Sequence, residues 1–254
     1  MNRSQAAYES PATVRFYAQN TKLQAPEAAI LERLRPCLSE MRMLDLGVGA
    51  GRTSLHFAPL VRGYLGIDRS RAMVDACLAR FGGTRARFEQ GDARDLGSFA
   101  DGAFDLVLFS FNGIDCVDHE GRLATLAGAR RVLAKGGFLC FSTHNLLSLS
   151  ALFSFGGARG PFEALEEAVR YVRIRIKNPS LEILRASPYA AVNDGWNGFS
   201  GYHYHITPAA QLEQLEQIGF GPVSVFGLAG VELAPEATPV CDDRWLYYLC
   251  RRGG

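Results

Sequence analysis

Residues 44–51 read LDLGVGAG, an apolar run that carries a carboxylate, Asp45, and then places glycines at alternate positions, Gly47, Gly49 and Gly51. No other stretch limits the fold as much. Glycines at this spacing let a strand turn sharply into a helix while the backbone approaches a ligand closely. The spacing also argues against a dinucleotide fingerprint, G-x-G-x-x-G/A. A run beginning at Gly47 would need Gly or Ala at position 52, where Arg52 stands. Alone, G-x-G-x-G marks a cofactor turn without naming the cofactor, so its meaning depends on its flanks.

The flanks alternate between strand and helix signals. PEAAILERLRPCLSE (26–40) has apolar residues at helical spacing, with Pro26 suited to a first turn. MRMLDLG reads as a buried strand, residues 51–60 as a helix closed by Pro59, and VRGYLGID as a second strand ending at Asp68. Ser70 caps the helix SRAMVDACLARF, which stops at Gly82-Gly83. RARFEQGDARDL gives a short strand and a loop, and FDLVLFSF is a continuous apolar run, as in a strand covered on both faces. LATLAGARRVLAKGG reads as a helix with a glycine stop, and FLCFSTH as a fifth strand. Short connections through about residue 144 predict right-handed βαβ units and a doubly wound parallel sheet. Ligands bind such sheets at the carboxyl ends of the strands. Those ends carry Asp45–Gly51, Asp68, Asp92, Ser110–Asn112 and His144-Asn145.

Between Asn145 and His205 the alternation breaks for roughly sixty residues, too many for an ordinary loop. This segment reads as an insertion that roofs the strand ends, with LLSLSALFSF as a hydrophobic pocket wall. Within it, EEAVRYVRIRIK fits either a helix with an arginine face or a strand. The rhythm then resumes with Thr207 capping a helix from Pro208, followed by the strands GPVSVFGL and RWLYYLCRR. The expected division is an N-terminal helical segment 1–40, a core of 41–144 with 206–254, and the inserted region 145–205.

Composition bounds the partners. A formal charge of +1 over 254 residues provides no field for gripping phosphate backbones, which argues against nucleic acid. The six cysteines form no C-x-x-C pair, and MNRSQAAYESPATVRFY lacks an apolar signal core, so a reduced, cytoplasmic protein is expected. LLSLSALFSF is too short to span a bilayer, and no stable membrane association is expected. No metal is expected either, because His203, His205 and Asp194 lack a further firm ligand.

Four elements in order and spacing carry a family resemblance: LDLGVGAGRTSLHFAP, YLGIDRS, GDARDL, and FDLVLFSFNGI followed by RRVLAKGGFLCFS. The chain resembles the class I S-adenosylmethionine-dependent methyltransferases. That resemblance implies an α/β fold, a Rossmann-like, doubly wound, mostly parallel seven-stranded sheet, with the insertion as an acceptor-binding lid. It implies S-adenosylmethionine as cofactor and methyl transfer to a small-molecule acceptor, in a monomer or homodimer. The glycine loop would face the methionine end of the cofactor at the positive end of a helix. Asp45 would receive the methionine ammonium, Asp68 the ribose hydroxyls, Asp92 and the Ala93 amide the adenine, and Arg69 would lie along the adenine face. TVRFYAQNTKLQ would fold over the cofactor, bringing Tyr17 to its methionine end and Arg15 to its carboxylate. Ser110 lies where the reactive methyl should emerge.

For the acceptor, the candidates are Asn112, Asn145 and Trp196, with His144, His203 and His205 as possible general bases. His203 and His205, at i and i+2, would share one face of an extended stretch, with Tyr202 and Tyr204 on the other. His56 reads as structural and His119 as an exposed loop residue without a role. Histidines clustered near the expected pocket favour an oxygen acceptor over nitrogen or carbon. A nicotinamide-dependent oxidoreductase is the alternative that the glycine spacing and the GDA segment oppose. A non-catalytic S-adenosylmethionine-binding protein is the alternative that the Asp45, Asp68 and Asp92 set opposes.

Overall fold

The computed structural model of the chain describes residues 8–156, 160–199 and 201–253. Residues 1–7 of the expected N-terminal segment, and 157–159 and 200 of the insertion, lie outside the described residues. Five strands run parallel: β1 (Arg42–Leu46), β2 (Gly63–Asp68), β3 (Arg87–Gln90), β4 (Phe104–Phe109) and β5 (Leu133–Asn145). Their order is β3-β2-β1-β4-β5, so the chain reverses direction across the sheet between β1 and β4. Such a switch point opens a crevice at the carboxyl ends of the strands.

Four further strands complete the sheet: β6 (Tyr189–Val192), β7 (His203–Ile206), β8 (Phe220–Phe226) and β9 (Trp245–Arg252). β9 lies antiparallel to β5, pairing Phe138 with Arg251 through His144 with Trp245, and β8 pairs antiparallel with β9. Seven strands thus make the doubly wound core. The insertion adds two more, since β6 and β7 form an antiparallel pair and β7 joins the last residues of β5 at His144↔His205 and Asn145↔Ile206.

Strand periodicity sends alternate residues to opposite faces, and helices cover both. On one face α2 (Ala25–Leu38) contributes Ile30, Leu31, Leu34 and Leu38, which pack with Met43, Tyr64, Leu106 and Leu108. On the other, α5 (His119–Val132) and α9 (Pro208–Ile218) cover Leu44, Leu46, Val107, Phe109 and Leu139. Each such large apolar side chain contributes about 1.5–3 kcal/mol on burial. α1 (Pro11–Gln19), capped by Ser10, lies near the carboxyl edge against α4 (Arg71–Phe81), which Ser70 caps.

Several elements differ from expectation for local reasons. The helix after the glycine loop, α3, is one turn long (Ser54–Phe57), because the chain stays in turns through Thr53 and again after Phe57. A helix that short offers little macrodipole, so what the loop presents is backbone amides. α5 begins at His119, with the Asp118 carboxylate accepting from the Gly121 amide at 2.8 Å, and ends at Val132, so LAKGG opens β5 instead of closing the helix. EEAVRYVRIRIK belongs to α6 (Pro161–Lys177), the longest helix among the described residues. LLSLSALFSF is not a wall of the cavity described below. Leu146, Leu149 and Phe153 join Ile174, Leu184 of α7 (Leu181–Arg185) and Val192 in a small core belonging to the insertion itself. The one-turn α8 (Trp196–Phe199) precedes β7. Among the described residues no helix is long and apolar enough to cross a membrane.

Candidate functional site

A cavity of about 690 Å³ lies at the carboxyl ends of the strands, within the size range of small-molecule sites. Its wall crosses the sheet in strand order: Asp68, Arg69 and Ser70 after β2, Asp92 and Ala93 after β3, Gly47 and Gly49 after β1, Ser110 and Phe111 after β4, and β6 with Tyr204 of β7 beyond.

The glycines of the loop are needed for different reasons. Gly47, Gly49 and Gly51 all have positive φ, at 61°, 56° and 82°, where a side chain is strained. A Cβ on Gly47 would also meet Phe109 at 2.7 Å, and one on Gly51 would meet Phe81 at 2.4 Å. A Cβ on Gly49 would face open space, with the Tyr17 ring nearest at 4.0 Å. Gly49 and Gly47 line the cavity, and Gly51 packs the loop onto α4.

The three expected carboxylates differ in their surroundings. Asp68 lines the cavity, accepting from the Gly49 amide at 2.9 Å and the Ser70 amide at 2.8 Å. Burial raises its pKa, and those two amides oppose the rise. Asp92 also lines the cavity, but Arg94 holds both its oxygens at 2.6 to 3.1 Å and Arg69 lies 3.2 Å away. Despite partial burial, these guanidiniums keep its pKa low. Asp45 is off the cavity. It is buried under the loop and accepts from the hydroxyls of Thr53 and Tyr64, both at 2.6 Å, while burial pushes its pKa up to about 6.

The N-terminal segment covers this end. Tyr8 and Tyr17 line the cavity, and Arg15 is exposed away from it. The Ser70 hydroxyl donates to the Tyr8 carbonyl at 3.1 Å, and the amides of Arg71 and Ala72, in the first turn of α4, donate to the Glu9 carboxylate. A carboxylate at that position complements the helix dipole.

The other end is aromatic. His119, Tyr189, Tyr202 and Tyr204 line it, together with Cys116. His119 stacks on Tyr189 with ring centroids 4.2 Å apart and planes 7° from parallel, and Tyr204 stacks beside both. His119 Nδ1 lies 2.7 Å from the Tyr204 hydroxyl.

His144, His203 and His205 come together but do not line the cavity. Their rings stack, His144 lying 5.4 Å from His203 and 4.7 Å from His205. His144 Nδ1 is 2.8 Å from Asp115, and its Nε2 is 3.2 Å from Asn112 Nδ2. His203 Nδ1 is bound to Asp194 at 2.8 Å. Burial disfavours the charge on His203, but the Asp194 carboxylate and a contact to Cys116 outweigh it and raise the pKa to about 10. For His205, burial, reinforced by neighbouring His144, lowers the pKa to about 4. At neutral pH His203 is therefore a paired imidazolium and His205 is neutral.

Asn112 sits at φ 59°, its amide donating to the Ser142 hydroxyl at 2.8 Å. Its Oδ1 has no partner, alone among buried side-chain polar atoms of the described residues. Asn145 is occupied elsewhere, donating to the carbonyls of Cys241 and Asp243. Trp196 stacks on Tyr8 at 5.5 Å and lies 5.5 Å from the His203 ring. Among the described residues no group of three or more His, Cys, Asp or Glu side chains is arranged to hold a metal ion.

Two buried ion pairs support the site without having a sequence signal. Glu27 on α2 pairs with Arg52 just after the glycine loop, and also accepts from the hydroxyls of Ser110 and Tyr247. Asp115 pairs with Arg122 at 2.7 Å, both fully buried, while accepting from Thr143 and from the His144 amide. Each links residues that are neighbours only in three dimensions. His119, Tyr189 and Tyr8 were likewise missed. The available hint for His119 was its position soon after the fourth strand, at the start of the next helix and the carboxyl edge.

A doubly wound sheet with a glycine turn after its first strand, an acid ending its second and a cavity across the switch point is the arrangement of class I S-adenosylmethionine-dependent methyltransferase domains. Residues 43–137 match the family model of a methyltransferase domain. Over 87 residues it is 33% identical to an uncharacterized methyltransferase of Bacillus subtilis (strain 168), a match covering 33% of this chain and 34% of that protein. The chain thus spans about a third of the length of the curated relative it matches. Among solved structures, it is similar to an S-adenosylmethionine-dependent methyltransferase from Mesorhizobium loti, with a TM-score of 0.65, 21% identity, and coverage of 89% of this chain and 98% of the other. It is also similar to the 1,6-didemethyltoxoflavin-N1-methyltransferase of Burkholderia thailandensis, with a TM-score of 0.63, 16% identity, and coverage of 99% and 87%. At these identities the likeness is one of fold.

Proposed function

We propose that this chain transfers a methyl group from S-adenosylmethionine to an oxygen of a small, flat, aromatic acceptor. The observation that carries the reading is a single cavity that joins the glycine-loop and Asp68 wall to the stacked wall of His119, Tyr189 and Tyr204.

The residues present suit the cofactor. Gly49 offers backbone with open space before it, and the Asp68 carboxylate can accept from paired ribose hydroxyls. Because Asp92 is already held by two arginines, adenine recognition in this reading falls to the Ala93 amide and the Arg69 side chain. Tyr8 and Tyr17 exclude water from the methionine end. The cofactor supplies an electrophilic methyl on a good leaving group, so the protein's task is alignment of the acceptor and management of its proton.

On the acceptor side, His119 takes the role of base that the sequence assigned to other histidines. When its Nδ1–H donates to Tyr204, Nε2 is the basic nitrogen. His203, held as an imidazolium by Asp194, is the wrong protonation state for a base near pH 7. In this reading His144 stacks with both His203 and His205, and His203 holds the wall in place through its contact to Cys116. Transfer to nitrogen is the second reading, favoured by the N1 specificity in the name of the Burkholderia thailandensis enzyme.

Calorimetry with S-adenosylhomocysteine and with NADH tests the first half. Micromolar binding of the former, weakened by Asp68→Ala, with none of the latter, is expected. Tight NADH binding would revive the oxidoreductase reading. Radiolabelled methyl transfer into phenolic and heteroaromatic pools tests the second half. Cofactor binding without any product would favour a non-catalytic binding protein.

A further inference from the structure

The insertion leaves one long apolar stripe uncovered. On α6, Phe162, Leu165, Val169, Val172 and Ile176 are 85%, 64%, 44%, 51% and 76% exposed. Their separations alternate between three and four residues, the a/d seam of a coiled coil. The opposite face of the same helix is docked. Ile174 is buried against Leu149 and Phe153, Arg170 donates to the carbonyls of Leu152 and Ser154, and Asn178 beyond the helix end donates to the Asn193 carbonyl. At 100° per residue Ile174 lies across the helix from the stripe, which therefore points away from its own fold.

The charges on the helix are segregated. Glu163, Glu166 and Glu167 occupy its first half, and Arg170, Arg173, Arg175 and Lys177 its second. A parallel partner would set like charges side by side. Glu163, Glu167 and Arg170 lie on the docked side, where Glu167 pairs with Arg170 at 3.7 Å, so the charges that flank the stripe are Glu166 and Arg173, which an antiparallel copy can set against one another. Glu166 and Arg173 both hold the position directly after a d residue, and in antiparallel coils these positions face one another. A register that sets Leu165 beside Ile176 and Val169 beside Val172 of a second copy also sets Glu166 beside Arg173. Two-fold symmetry forms every contact twice. Arg173, whose guanidinium rests 5.6 Å from the Phe199 ring, is exposed on that flank.

We propose that α6 is a homodimerisation element, pairing with α6 of a second copy of this chain as an antiparallel, two-fold symmetric coiled coil. An anionic lipid surface suits the stripe less well, since Glu166 on its flank would be repelled by it. A helix of 17 residues is about 25 Å long, which makes for a small interface and an expected Kd of about 1–100 µM.

Sedimentation equilibrium of the full chain from about 1 to 300 µM tests this, a range set by that affinity. A monomer–dimer equilibrium is expected, at least about tenfold weaker in Val169→Asp, which places a charge at the centre of the seam. Glu166→Arg and Arg173→Glu should each weaken the dimer alone. The two single variants mixed together, and the double variant by itself, should regain it. These residues lie off the cavity wall, so unchanged S-adenosylhomocysteine affinity verifies folding. A chain that stays monomeric at the highest concentration, charge variants that do not rescue one another, or a monomer that instead sediments with phosphatidylcholine–phosphatidylserine vesicles would each overturn the proposal.

Discussion

The Tyr8 ring stacks on the Trp196 ring at 5.5 Å and 22°, joining the N-terminal segment, whose Tyr8 lines the cavity, to the one-turn helix before β7. Tyr8 also reaches Cys116 at 3.8 Å, on the loop after β4, so one aromatic residue touches both that loop and the segment before β7. Such a pair is worth about 0.5–1.5 kcal/mol beyond area burial. Trp196→Ala is expected to weaken S-adenosylhomocysteine binding by about 2- to 10-fold, the same free energy expressed as affinity. Calorimetry checks it, and an unchanged Kd would show that the stack does not close the site.

Asp68 is the second test point. Its carboxylate organises Gly49 and Ser70 and faces the cavity. Asp68→Asn keeps the shape and removes the charge. Because hydrogen bonds to charged groups contribute about 1.5–3 kcal/mol, a 10- to 150-fold rise in Kd for S-adenosylhomocysteine is expected. Asp45→Asn, buried beneath the loop, should act through stability instead, measured as a lowered Tm.

The His203–Asp194 pair makes a signed prediction about pH. His203 is raised from 6.5 to about 10, so the folded state holds its proton more tightly. Its contribution is complete below about pH 6.5 and is lost as pH rises toward 10. Asp194 is lowered from 3.8 to about 2, so its contribution is present above about pH 4 and is lost as pH falls toward 2. Urea unfolding at pH 5.5, 7.5 and 9 should show wild type losing more stability with rising pH than Asp194→Asn, by about 1–3 kcal/mol. Parallel profiles for the two proteins would refute the pairing.

The fully buried Asp115–Arg122 pair gives a larger effect. Arg122 also donates to Gln211, Gln214 and Thr143, and Asp115 orients His144. Arg122→Met leaves the buried Asp115 carboxylate without its guanidinium and should cost about 3–5 kcal/mol by denaturant unfolding. Adding Asp115→Asn should recover part of that loss. No recovery would mean that the packing of Arg122, and not the charge left behind, sets the cost.

How far the site could be read from sequence depends on the residue. Asp68, Asp92, Ala93, Ser110, Gly47 and Gly49 stand in the cavity wall because each ends a strand or follows one directly, and strand ends are legible from periodicity. His203 and His205 do share a strand, as their spacing implied. Yet the strand pairs beside β5 and turns both rings onto His144, so they join each other instead of the cavity. EEAVRYVRIRIK was ambiguous for a physical reason. Its alternating arginines satisfy a strand period locally, and only the burial of Ile174 against Leu149 and Phe153 selects the helix.

Sequence alone determined the parallel core, the glycine turn and the acids at the strand ends, since these follow from backbone sterics and from patterns of two and three-to-four residues. Tertiary structure alone decided which side chains meet. Glu27 with Arg52, Asp115 with Arg122, Tyr8 with Trp196 and His119 with Tyr189 are pairings across the chain. No local period encodes them, because partner choice is set by which faces of distant elements are pressed together when the apolar core is buried. The aromatic wall of the cavity belongs to this second group, since β6 and β7 reach it only by pairing with each other beside β5.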